Sequence, residues 1–329
     1  MALERIDLAT FDRLNVRAAG AEVVTWNGRR ALRLENGLAL LKDVVLEDAA
    51  IEADLGADEP CSPGIAFRAA GEDNFELAYV RPHTTGQWDA VQYDPVFHGT
   101  NTWQVFSGPR YQGQADVPTG RWFTLRLDVV GSTMAVSMGQ QRPLIVEPLA
   151  HPHPSGGVGV WSLRQAYFSQ LRIGAPDPSR LDRAAPPPIV EPGTVTWWWL
   201  GGHGPVEAEE NGTLNLNRYL PQAGEAEATV YRDFCVDGSG AVALRFGFSD
   251  EIELFVDARK VFSGTHRHTG FASRQSRGYI EPGANVVRVP VTAGRHVVLA
   301  RLRATEPFGW GIVLALSGEQ GADVTLEGT

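Results

Sequence analysis

Along most of this chain apolar and polar residues alternate, and the alternation comes in short runs. Ile51, Ala53 and Leu55 fall on one face of an extended segment, with Glu52 and Asp54 on the other. Similar runs cover Ala21–Trp26, Arg30–Leu34, Gly64–Ala69, Asn74–Arg81, Trp122–Val130, Thr133–Met138, Gly156–Trp161 and Ala166–Ile173. Asn27-Gly28 joins the first two, a strong short signal for a β-hairpin. No run sustains a period of 3.6, so helices are incidental. Many short strands divided by glycine, proline and aspartate predict a sandwich, jelly roll or barrel.

The pattern breaks once. Pro176, Pro178, Pro186, Pro187, Pro188 and Pro192 cannot donate to a ladder, and Ala184–Pro188 reads as a semi-rigid polyproline spacer. Strand-like runs then resume at Thr194–Leu200, Ala228–Val236, Ala241–Phe248, Glu251–Val256, Val286–Val291, His296–Arg303 and Gly311–Leu316. The expected fold class is all-β: two β-sandwich domains, residues 1–176 and 194–329, joined by a Pro-rich linker at 177–193.

Composition narrows the partners. The 329 residues are 43% hydrophobic and 21% charged, an ordinary globular balance. A net charge of −10 argues against nucleic acid or an anionic membrane as the main partner. Nothing in the pattern excludes a homo-oligomer. Cys61 and Cys235 are read as free, buried thiols. The N-terminal stretch is charged throughout and has no apolar core, so it reads as cytoplasmic rather than secreted.

Candidate chemistry concentrates between Phe75 and Trp103. Parity places Tyr79 and Arg81 on one face of their strand, and Trp88, Gln92, Tyr93 and Trp103 follow. An aromatic ring offers a flat surface to the C–H face of a sugar, and Arg or Gln offers forked donors to neighbouring hydroxyls. These six form the expected ligand-binding face. Glu76 and Asp94, with Glu52 and Asp89 beside them, are the available carboxylates, and His83 and His98 the available acid–base imidazoles.

Several landmarks carry a resemblance: Tyr79-Val-Arg81-Pro82, Gln92-Tyr93, Gly120-Arg-Trp122, Gly157-Val-Gly-Val-Trp161 and Ala166-Tyr-Phe168. Over residues 10–175 the chain resembles laminin-G/concanavalin-A-like jelly rolls of the glucanase-like and 3-keto-disaccharide hydrolase-like kinds. Over 194–317, Ser249-Asp250, Lys260-Val-Phe262 and Phe308-Gly-Trp-Gly311 resemble galactose-binding-like accessory domains of a bacterial two-domain family. That resemblance implies an oligo- or polysaccharide partner, without saying whether it is bound or cut. The E-x-D-x-x-E strand of retaining hydrolases is missing. Three readings stay open: a carbohydrate-binding protein, a glycoside hydrolase or lyase, and a protein–protein scaffold.

No cofactor is expected. His151-Pro-His153 has no third ligand in view, and Asp250 suits a turn cap better than a Ca²⁺ ligand. Glu210–Arg218 reads as an exposed polar loop. The basic loop His266–Arg277 invites an anionic ligand such as a uronic acid. Trp197-Trp-Trp199 points two rings one way and one the other, core on one side and an interface or stacking platform on the other.

Overall fold

A computed structural model describes residues 3–139, 141–222 and 224–326. These residues form strands and five short 3-10 turns, with no α-helix. The fold is all-β. The chain divides into two units: Met1–Gly99 with Gly108–Pro187, and Thr100–Ser107 with Pro188–Thr329. Thus the eight residues Thr100–Ser107, which overlap the end of the aromatic stretch, belong with the second half.

The first unit is organised on one 18-residue strand, Gly157–Gly174. Its first half pairs with Ser62–Ala69 and Arg29–Leu41, its second with Ala49–Gly56 and Glu4–Asp7. Two sequence runs thus make one strand, continued through a bulge between Ser162 and Gln165. Gly159 is required there: a Cβ would lie 2.0 Å from the Ala39 carbonyl oxygen. Asn27 and Gly28 form the predicted hairpin turn, with φ of 42° and 72°, between Leu14–Trp26 and Arg29–Leu41. Two positive φ values are the signature of the tight turn that matches strand twist.

From the long strand, one arm of the sheet runs through Ser62–Ala69, Glu76–Val80 and Val91–Tyr93 to Gln112–Gly113. The other runs through Ala49–Gly56, Phe123–Val130 and Thr133–Met138 to Leu144–Val146. The two end strands approach each other, since a Cβ on Gly113 would lie 3.6 Å from Leu144 Cβ. The sheet therefore curls back on itself. The segment expected to be a spacer takes part: Pro178–Leu181 forms a 3-10 turn, and Arg110 donates to the Pro186 carbonyl.

The second unit has two sheets. One runs Gly204–Glu207, Trp197–Leu200, Ala226–Asp237, Gly294–Ala304, Glu251–Val256, Arg259–Thr265. The other runs Leu214–Asn215, Gly311–Glu319, Gly240–Ser249, Asn285–Val291. A single core contains Trp198, Val230, Phe234, Phe246, Leu254, Trp310 and Leu314. Parity then forces Thr229, Tyr231, Glu253, Phe255, Leu299 and Arg301 outward on the first sheet. Cross-strand register lines these up in rows: Thr229–Arg301–Glu253–Ser263 and Trp199–Tyr231–Leu299–Phe255.

Glu210–Arg218 is not an exposed loop. Thr213, Asn215 and Asn217 are buried, and Asn215 donates to Glu209 at 3.0 Å. Asn217 accepts from the Trp310 backbone N–H at 2.9 Å, which anchors the segment against the core. Polar side chains at regular spacing here satisfy buried backbone and one another, which parity alone does not reveal.

Candidate functional site

The strand Glu76–Val80 keeps its predicted parity but buries both faces. Phe75, Leu77 and Tyr79 do share a side, and that side is core: Tyr79 is 6% exposed, 5.5 Å from the Trp161 ring, among Leu38, Leu40 and Val96. A sugar has no access to such a ring. Arg81 is also buried, with Nη1 2.6 Å from Asp89 Oδ2 in an ion pair largely closed to solvent.

The opposite side carries a polar network. The Glu76 carboxylate is fully buried and accepts from the Tyr93 hydroxyl at 2.6 Å and the His151 backbone N–H at 2.8 Å. The Tyr93 hydroxyl in turn accepts from the Ala150 N–H at 2.7 Å. His151 stacks on Phe97 and has Nε2 3.0 Å from the Val96 carbonyl oxygen. Glu76 therefore fixes the 150–151 backbone and is not placed to protonate a substrate. Asp94 is fully buried too. Desolvation and the Arg81 charge push the His83 imidazole down to about 4, so it is neutral at neutral pH. His98 is exposed on a turn with φ of 49°.

Trp103 leaves the set altogether. It lies in the second unit, 9% exposed, edge-on to His268 and Tyr279 and against Phe308. Its neighbour Gln104 accepts from the Ser249 hydroxyl at 2.9 Å. Sequence proximity suggested a shared face with Tyr79; the burial of Thr102–Phe106 and their place in the second unit decide otherwise.

Of the six expected ligand contacts, Trp88 alone is well exposed, at 38%. Its loop is hydrogen-bonded to one wall of a cleft of about 810 Å³ where the two end strands meet. One wall is Val91, Gln112, Gly113 and on to Asp116; the other is Val136, Met138 and Gln141 to Ile145. Arg183–Pro187 edges it. Gln92 stands one layer behind: its Oε1 accepts from Gln112 Nε2 at 2.7 Å, while Gln112 Oε1 accepts from Gly108 N–H. Gln141 ties the walls together, accepting from Asp116 N–H at 3.1 Å and donating to the Asp116 carbonyl at 3.4 Å. Its carboxamide thus stands in for a missing strand across the seam. The Trp88 loop is fastened to the same wall, with Gly86 N–H donating to the Ala115 carbonyl and Gln114 Nε2 to the Gly86 carbonyl, both at 2.8 Å.

Gln112, Gln114, Asp116, Gln141, Arg142 and Arg183 are thus cleft residues that sequence reasoning missed. Alternation at Gln112-x-Gln114 was the available signal, hidden in a segment rich in glycine and proline. Arg142 and Arg183 are exposed and form no ion pair with the described residues.

Among the described residues no group of three histidine, cysteine, aspartate or glutamate side chains could hold a metal ion. Asp250 is used structurally: Oδ2 accepts from the backbone N–H groups of Thr305 and Glu306. The basic loop is internally compensated, with Arg267 on Glu251, Arg274 on Glu281, and Arg277 buried over the Phe271 ring. Cys61 and Cys235 are free thiols, and burial pushes Cys61 up to about 12.

No family model and no curated protein matches this chain. Among solved structures it is similar to the carbohydrate-binding module CBM66 from Bacillus subtilis, with 11% identity and a TM-score of 0.36, over 50% of this chain and 93% of that one. It is also similar to a putative glycosyl hydrolase from Parabacteroides distasonis, at 13% identity and 0.38, over 52% and 99%. A galectin-like protein of unknown function from Bacillus subtilis aligns at 11% and 0.38, over 53% and 96%.

Proposed function

We propose that the protein binds carbohydrate without cleaving it, and that the first unit takes an oligo- or polysaccharide along the seam cleft. The observation that carries this reading is the cleft's lining. Apolar Val91, Val136, Met138 and Leu144 make its body, and planar Gln114, Arg142 and Arg183 stand at its margin. A volume of about 810 Å³ suits several sugar rings. Carboxamide and guanidinium forks match vicinal hydroxyls, and the two arginines can also pair with a uronate. Trp88 on the attached loop supplies an aromatic face.

Glycoside hydrolysis with two carboxyls needs them about 5–10 Å apart across the bond. Asp116 is the one acid among the described lining residues, so binding is favoured over cleavage.

A glycan array of neutral and acidic oligosaccharides, followed by calorimetry on the hits, tests the reading. Micromolar to millimolar affinity is expected, typical of open sites with few immobilised contacts. Arg142→Ala with Arg183→Ala, and separately Trp88→Ala, should each weaken it. Retained affinity in both variants would remove the cleft assignment, and an array without hits would remove the function.

A further inference from the structure

The second unit's outward sheet face holds a feature that the cleft does not explain. The core side of this sheet is already filled by Trp198, Val230, Leu254 and Val298. Yet Trp199 is 36% exposed on the other side, beside half-buried Tyr231, Leu299 and Phe255. The Trp199 and Tyr231 rings are stacked across two strands, with centroids 6.3 Å apart and planes within 12° of parallel, so Tyr231 backs the exposed Trp199 ring. Arg301 and Lys260 hold the Phe255 ring from above, at 5.0 and 6.0 Å.

Next to this stripe runs a groove of about 620 Å³. Its charges are mutually compensated. The lining Glu227, Glu251 and Glu253 meet the lining Arg301 and Arg303, and ion pairs to Glu225, Arg267 and Lys260 outside it bring the set to four acids against four cations. Such a surface exerts little net field, so it does not select a charged ligand. It does offer carboxylate acceptors and guanidinium donors at regular cross-strand spacing, alongside the hydroxyls of Ser263 and Thr265.

We infer that this face is a second carbohydrate-binding platform, for a neutral, extended polysaccharide that stacks a sugar ring on the exposed Trp199 side chain, which Tyr231 backs. An exposed aromatic ring backed by a second one, beside a groove with a charge-compensated polar border, suits an extended chain of neutral sugars. A globular protein partner would need a larger apolar patch than one stripe bordered by ion pairs.

Affinity electrophoresis of the full chain on hydroxyethylcellulose, xylan and dextran tests it. Retardation by hydroxyethylcellulose or xylan, and not by dextran, is expected. Trp199→Ala and Tyr231→Ala should each weaken binding about tenfold, and Trp199→Phe should restore part of it. Both positions face solvent, so an unchanged melting temperature verifies folding. Wild-type mobility in Trp199→Ala, or no retardation of the wild type by any of the three polymers, overturns the platform. The cleft is judged separately. Loss of array binding in Arg142→Ala with Arg183→Ala, together with wild-type polysaccharide mobility in Trp199→Ala, would leave the first site and remove the second.

Discussion

Two regions, the buried polar cluster of the first unit and the outward sheet face of the second, handle charge in opposite ways. In the first, Glu76, Asp89 and Asp94 are wholly buried, and Glu76 and Asp89 each meet a specific donor at 2.6 Å. In the second, Glu251, Glu253, Arg301 and Arg303 stand in rows on a sheet face open to water. A buried charge tolerates one geometry, because leaving it unpaired costs far more than the pair contributes. An exposed pair exchanges partners at little cost. The first pattern is therefore a scaffold, and it holds up a cleft lined by other residues. The second is a surface that a hydroxylated ligand can engage directly.

The comparison breaks most sharply at Arg81. Arg81→Ala leaves Asp89 without its guanidinium and should cost about 3–5 kcal/mol, read as a lower midpoint in urea with an unchanged slope. A change under 1 kcal/mol would mean the pair is not closed to water. Glu76→Gln comes next, at about 1–3 kcal/mol, because the amide keeps one acceptor oxygen where Tyr93 and His151 each need one. A catalytic role would instead leave stability intact.

Drift with pH should also differ in sign. Burial works against ionisation of Asp54, but Arg172 and Thr124 more than offset it and hold the carboxyl below its usual value. Its contribution is full above the unfolded value of about 3.9 and is lost as pH falls through the lower folded value. For His296 burial again opposes charge, yet Asp257 and the Thr292 carbonyl raise its pKa. That contribution is full below about 6.5 and fades as pH rises through the folded value. Melting curves of Asp54→Asn and His296→Asn against wild type should converge at low and at high pH respectively. The smallest effect is expected for Arg303→Ala, whose melting temperature should stay within experimental scatter despite three acidic neighbours.

Much of the fold was legible in the alternation. The Asn27-Gly28 hairpin, the Thr133–Met138 strand and the Ala226–Asp237 ladder follow from local pattern and turn chemistry, which short windows contain. The site was less legible. Parity paired Tyr79 with Leu77 and Phe75 correctly but could not say that both faces are covered. Gln92 lies one layer behind the cleft wall, bonded to Gln112. The triple tryptophan was read correctly as core on one side, with Trp198 fully buried.

By itself the sequence determined an all-β chain, its turns and the parity of its strands, because these depend on neighbours within a few residues. Tertiary structure decided which face meets water. It closed the sheet so that Gln112–Gly113 and Leu144–Val146 meet at a cleft, and it assigned Trp103 to the second unit. Both outcomes depend on contacts between residues far apart in the chain, and alternation alone carries no information about which strands will become neighbours.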